Sequence, residues 1–228
     1  MSFKKSQGNM YDWVSHMHSH LAGECPHKCS YCYVQRNRFG VSDRYKGEIR
    51  LIRVELNVNY GTGKTIFIEH MNDLFAAEVP GHVIEDILDH CYRFPGNNYV
   101  FQTKNPERVL SYEGLFPVNH MIGTTIETNI DIPNSKAPRP ESRFRGISAL
   151  SLSGCKTFIT IEPIMDFDPD VMIDWIVDAR PEFVNIGADS KHCQLPEPDK
   201  IKLEYFIAGL NLRNITIKKK MNLERLLK

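Results

Sequence analysis

Apolar residues along this chain recur in two alternating rhythms. Short runs rich in β-branched and aromatic residues, such as Thr65-Ile66-Phe67-Ile68-Glu69 and Tyr99-Val100-Phe101-Gln102, have the length of buried strands. Between them lie stretches with helical spacing, for example Val83, Ile84, Ile87 and Leu88, which predict a helix over 80–93. Continued along the chain, the pattern predicts strands over 65–69, 99–102, 120–127, 157–162, 183–187 and 215–218. The helices fall over 106–110, 141–152, 169–178 and 199–210, with a turn at 95–98. A weaker strand covers 13–21, a short helix is expected over 33–39 with Gly40 ending it, and 41–60 fits neither rhythm. Strand and helix in alternation mean parallel βα units with right-handed crossovers.

Two local patterns bear on chemistry. His16, His18 and His20 share one face if their segment is a strand. A polar barrel lining or a solvated face is the favoured reading there, and a metal site the alternative. Gly61-Thr62-Gly63-Lys64-Thr65 has the tail of a phosphate-binding P-loop, but that motif needs glycine where Val58 stands and a helix after the Lys-Thr pair. The pattern gives a strand instead, so the glycines are turn residues and nucleotide triphosphate binding is rejected.

Composition narrows the class. At 228 residues the chain has room for one sizeable domain, residues 13–228, preceded by a polar extension over 1–12. Lys+Arg and Asp+Glu both number 28, so global charge gives no case for a nucleic-acid or membrane partner. No apolar stretch follows Lys4 and Lys5, and none approaches membrane-spanning length, so a cytoplasmic protein is expected.

Three of the six cysteines, Cys25, Cys29 and Cys32, fall within Gly23-Glu24-Cys25-Pro26-His27-Lys28-Cys29-Ser30-Tyr31-Cys32-Tyr33. An odd, dense trio does not suit disulfides, and clustered thiolates favour zinc or iron-sulfur. Closed structural sites take four protein ligands. Three leave a metal open to a substrate or cofactor, unless His20, His27 or a distant residue completes a zinc site. Polar residues also gather where predicted strands end: Glu69 to Asp73, Thr103 and Lys104, Glu127 to Asn129, Glu162, and Asp189 to Cys193. In βα barrels that rim carries the active site, although Asp73, Asn105 and Asn129 could serve only as caps.

The C-x3-C-x2-C spacing with Tyr31 before the third cysteine resembles the cluster loop of the radical S-adenosylmethionine (SAM) superfamily, and Cys32-Tyr33-Val34-Gln35 is similar to that loop in spore photoproduct lyases. A wider resemblance, to small phage-associated radical SAM proteins of unassigned activity, runs through residues 67–75, 102–108 and 161–164. It implies an α/β fold, an incomplete (βα)6 TIM-like barrel, where alternation alone leaves a doubly wound open sheet equally open. It further implies that Cys25, Cys29 and Cys32 hold a 4Fe-4S cluster whose fourth iron takes SAM, with a flavodoxin or ferredoxin as reductant. The cleavage of SAM would yield a deoxyadenosyl radical that abstracts hydrogen from a substrate.

The resemblance also suggests roles. Asn72 and Asp73 stand where the superfamily places a Gly-Gly-Glu segment for the SAM amino group, Lys104 would pair with the SAM carboxylate, Glu127 or Asn129 would hold the ribose, and Tyr31 would lie near the adenine. Glu162 joins the same rim. Cys193 is a candidate hydrogen-atom donor, whereas Cys91 and Cys155 read as packing residues. Arg139, Arg143 and Arg145, with Lys218-Lys219-Lys220, could meet phosphates of a nucleotide or nucleic-acid substrate or be plain solvated surface. A non-catalytic zinc-bound interaction module and a simple iron-sulfur electron carrier are the alternative functions.

Overall fold

The apolar runs pair side by side in the computed structural model of the chain, which describes residues 2–8, 10–36, 39–132 and 135–228. Its strands are β1 (Lys4–Lys5), β2 (His16–His18), β3 (Leu21–Ala22), β4 (Arg50–Leu51), β5 (Thr65–Ile68), β6 (Asn98–Thr103), β7 (His120–Thr125), β8 (Thr157–Ile161), β9 (Phe183–Ile186) and β10 (Ile217–Lys219). Eight of them form one sheet in the order β1-β2-β5-β6-β7-β8-β9-β10, and β3 pairs separately with β4. Within the eight-stranded sheet the pairings from β2 through to β10 are parallel and β1 runs antiparallel to β2; the separate β3–β4 pair is antiparallel. The crossovers carry α1 (Gly81–Tyr92), α2 (Pro106–Val109), α3 (Pro140–Leu152), α4 (Pro169–Ala179) and α5 (Lys200–Leu212). Proline opens α2, α3 and α4, and the carboxylates of Asp168 and Asp199 cap α4 and α5.

Two apolar layers show that this sheet curls. Ile66, Phe101, Ile122, Ile159 and Val184 face outward into the core shared with the helices. Their neighbours Phe67, Val100, Phe158 and Phe183 face inward, as the two-residue period of a strand requires, and pack with Met17, Tyr11 and Val14. Trp13 lies at 5.4 Å from Phe183 of β9, and the Tyr11 hydroxyl reaches Gln102 of β6 at 2.8 Å and Thr160 of β8 at 2.7 Å. Residues from well-separated strands therefore meet on one concave side. β10 and β1 are not paired among the described residues, so the curl stays open. The expected incomplete βα barrel, rather than a flat doubly wound sheet, is the architecture found. Gly123 of β7 permits the curl: a Cβ there would stand 2.1 Å from Phe158 Cζ.

Several expectations are corrected. The predicted helix over 33–39 is absent at Tyr33 to Arg36, which form turns; Asn37 and Arg38 lie outside the described residues. The segment 13–21 forms only β2 and β3, because Trp13 and Val14 enter the interior as irregular backbone. His18 and His20 neither line the barrel nor meet solvent; they are buried on the outer side, against His90 of α1. Ahead of β2, Lys4–Lys5 form β1 and Tyr11 enters the barrel interior.

Candidate active site

The cysteine loop leaves β3 at Gly23, where φ is 89° and an added Cβ would stand 2.0 Å from Glu48 O, so no side chain fits. Gly23 N donates to Arg44 O at 2.7 Å and Glu24 N to Gly47 O at 2.9 Å, so the segment before β4 clamps the loop. Tight turns follow: Cys32 N donates to Cys29 O and Arg36 N to Cys32 O, both at 3.0 Å. The three cysteines are free, half-buried, and face one cleft of about 810 Å3 at the carboxyl end of the strands. Burial, with Asp73 nearby, pushes the Cys25 thiol up to about 12, so a bound cation is what would hold it as a thiolate.

Asp73 fastens this loop to the barrel. Its Oδ2 accepts from His27 Nε2 and from Lys104 N, each at 2.7 Å, while Oδ1 accepts from Phe75 N at 3.0 Å. Burial would raise the Asp73 carboxyl, but His27 and these N–H groups outweigh it and keep the group below its ordinary value. One residue away, Asn72 is buried and lines the cleft; its Nδ2 donates weakly to Gly23 O at 3.4 Å, and its Oδ1 has no partner among the described residues. A buried, unmet acceptor costs about 1–3 kcal/mol, so the atom is suited to an N–H donor arriving in the cleft.

Glu127 lies behind the lining, fully buried. Tyr31 Oη and Lys104 Nζ both donate to its Oε1, and Arg143 Nη1 donates to Oε2 at 2.6 Å. Burial would raise this carboxyl, yet the two cations bring it from 4.5 down to about 2. Arg143 is itself buried and also donates to Pro138 O at 2.7 Å and Thr125 O at 3.1 Å. The arginine segment is thus split: Arg143 is a core residue, while Arg139 and Arg145 form exposed pairs with Asp131 and Glu141. The lysine run is split too, with Lys218 Nζ 3.6 Å from the Phe183 ring centroid and Lys220 paired with Glu162 Oε2 at 2.9 Å.

The fold brings together Cys25, Cys29, Cys32, Tyr31, Asn72, Asp73, Lys104 and Glu162 around the cleft. Glu127, Asn129 and Cys193 are outside that lining. Both polar groups of the Asn129 side chain are spent on the backbone of Asp168, at 2.9 and 3.0 Å. Cys193 sits on the loop after β9, where its N–H donates to Asp189 Oδ2, and burial and Asp189 raise its thiol. His27 and His20, the candidate fourth ligands of a zinc site, already hold Asp73 and Glu69 through ring nitrogens. Sequence reasoning missed Tyr11 at the cleft floor, which precedes any recognisable strand. It also missed Arg143 as a support, although Arg143, Gly146, Ile147 and Leu150 share the buried face of α3 at helical spacing.

The comparisons bear on the fold and the family. The fold is similar to that of spore photoproduct lyase, with a TM-score of 0.65 at 9% identity over 95% of this chain and 80% of that one. A spore photoproduct lyase with bound AdoMet and dinucleoside spore photoproduct gives 0.56 at 12% identity, over 90% of this chain and 63% of that one. Streptococcus suis SuiB bound to its precursor peptide SuiA gives 0.63 at 11% identity; 90% of this chain covers 48% of SuiB, so the chain spans about half of that protein. At such identities the likeness is one of fold. No curated protein matches the sequence. A family model matches residues 12–190, from the first barrel residues to the loop after β9, and the chain therefore belongs to the family described as a protein of unknown function, DUF5131.

Proposed function

We propose that the chain is a radical SAM enzyme whose cleft holds a 4Fe-4S cluster on Cys25, Cys29 and Cys32. The observation that carries this reading is the convergence of three free thiols with a buried acceptor, Asn72 Oδ1, that has no partner among the described residues, in one cleft at the strand ends. The donor set suits the group: three sulfur ligands leave one iron for SAM, and Asn72 Oδ1 can receive its ammonium. When bound, the cluster and SAM supply the deoxyadenosyl radical for hydrogen abstraction.

The chain's own residues position and shield. Asp73 fixes the loop through His27 and the start of the β6 exit through Lys104 N, so the cluster ligands keep their register with the barrel. Lys104 carries positive charge to the cleft wall beside Tyr31, whose ring lies 5.4 Å from its Nζ. That charge suits a carboxylate, and Tyr31 suits an adenine face. The Glu162 and Lys220 pair and the Tyr11 hydroxyl shape the far wall, where a substrate would lie.

The substrate we propose is a nucleotide or nucleic acid, in keeping with the likeness to spore photoproduct lyase. Cys193 is the proposed hydrogen-atom donor, since its raised thiol remains protonated at neutral pH. Electrons would come from a flavodoxin or ferredoxin. The test is anaerobic reconstitution followed by iron and sulfide analysis and SAM titration. About four irons per chain with SAM binding, weakened at least tenfold in Asn72→Leu, supports the reading. Zinc in place of iron at the cysteines, with no SAM binding, supports an interaction module instead.

A further inference from the structure

A second cluster of metal-type ligands lies on the opposite side of the sheet. His18 and His20, where β2 ends, meet His90 of α1, and all three are fully buried. One ring nitrogen of each lies within 4.8 Å of the others, and the ring centroids are 4.2 to 6.0 Å apart.

Proton bookkeeping makes this cluster unusual. His18 Nε2 lies 3.0 Å from Glu55 Oε2. The Ser2 N–H donates to both Glu55 oxygens and Arg44 Nη1 to Oε1, so the carboxylate acts as acceptor throughout and His18 carries its proton on Nε2. His20 Nδ1 lies 2.9 Å from Glu69 Oε1, an oxygen that already faces the backbone N–H groups of His20 and Leu21, so Nδ1 donates there. His90 Nε2 lies 2.8 Å from Val58 O, a carbonyl that can only accept. Each imidazole is thus pinned on one nitrogen by a carboxylate or carbonyl, the arrangement that orients metal-ligating histidines.

The nitrogens left with lone pairs are His18 Nδ1, His20 Nε2 and His90 Nδ1. They point at one another: His20 Nε2 is 2.8 Å from His90 Nδ1, and Tyr60 Oη is 2.5 Å from His18 Nδ1 and 3.2 Å from His20 Nε2. One hydroxyl proton cannot satisfy three acceptors. A cation held among these nitrogens would meet lone pairs for which the surrounding described residues offer too few donors.

We propose that His18, His20 and His90, with Tyr60 Oη completing a tetrahedron, bind one divalent transition-metal ion, zinc by preference. Two nitrogens about 2.0 Å from a tetrahedral zinc stand about 3.3 Å apart, within a small adjustment of the separations here. The closed, fully protein-ligated arrangement makes the ion structural: it would tie β2, just before the cysteine loop, to α1 and to the segment holding Tyr60. The ion would lie one imidazole away from the buried Glu69 carboxyl, which holds His20 through Nδ1.

The test uses the 228-residue chain beside its Cys25→Ser/Cys29→Ser/Cys32→Ser variant, which removes the competing sulfur ligands. The expected result is one zinc per chain in both, lowered at least tenfold when His90→Gln is added. Cobalt substitution of the cysteine-free chain should give tetrahedral d–d bands without thiolate charge transfer. Free zinc a thousandfold above Kd should raise its melting temperature by roughly 8–16 °C, an effect absent with His90→Gln. A folded cysteine-free chain that takes neither zinc nor cobalt and melts unchanged would overturn the proposal, as would zinc binding undiminished by His90→Gln. Iron at the cysteines is read separately, so this outcome and that of the SAM assignment are independent.

Discussion

Replacing Arg143 with methionine removes one of the two cations that hold the Glu127 carboxylate in a fully buried position. Methionine keeps most of the volume on the inner face of α3, so the main effect is electrostatic. Stripping one partner from a buried ion pair costs about 3–5 kcal/mol, because the remaining charge stays desolvated. Lys104 persists as a partner, but its side chain is 16% exposed and serves Oε1, leaving Oε2 without the arginine. The loss should therefore approach that range rather than vanish. For a chain of this size it corresponds to a drop of roughly 6–20 °C in melting temperature. Urea unfolding followed by circular dichroism gives the value, and adding Glu127→Gln should recover a large part of it by removing the stranded charge. A loss below about 1 kcal/mol, or no recovery in the double variant, would refute the claim that this carboxylate depends on Arg143.

Other consequences follow from the same geometry. Glu127 falls from 4.5 to about 2 on folding, so its contribution, about 3 kcal/mol, is present above pH 4.5 and lost as pH falls toward 2; melting curves over that window should steepen relative to Glu127→Gln. Gly123→Ala would press a methyl group into the Phe158 ring and should cost about 1–3 kcal/mol in denaturant unfolding, part of it regained with Phe158→Leu. Cys193→Ala should leave the fold intact and reduce product formation once a substrate is found; unchanged product yield removes the thiol from the reaction.

How much of this was legible in the sequence depends on the range of the signal. The helices over α1, α3, α4 and α5 and the strands β5 to β9 were legible because propensity and burial agree there. The cysteine spacing was legible because three cysteines on one short loop leave a local record. Residues 41–60 were opaque because their structure comes from clamping other segments: Arg44 O and Gly47 O hold the cysteine loop, and Tyr60 meets histidines from β2 and α1. The fate of His18 and His20 turned on which side of the sheet they face. Period two groups them, but only the inward turn of Trp13 and Met17 fixes that face as the outer one. Glu127 and Lys104 were both placed at the rim. That the first is consumed by the second depends on Arg143, 16 residues further along, and no spacing announces that contact.

The proposed function stands on reductive cleavage of SAM at a cluster that Cys25, Cys29 and Cys32 would hold. The direct measurement is deoxyadenosine release from SAM by the anaerobically reconstituted, dithionite-reduced chain, with Cys29→Ala alongside. Release well above that of Cys29→Ala is expected, since loss of one proposed ligand should abolish it. Full iron loading without deoxyadenosine release, or equal release from Cys29→Ala, would contradict it.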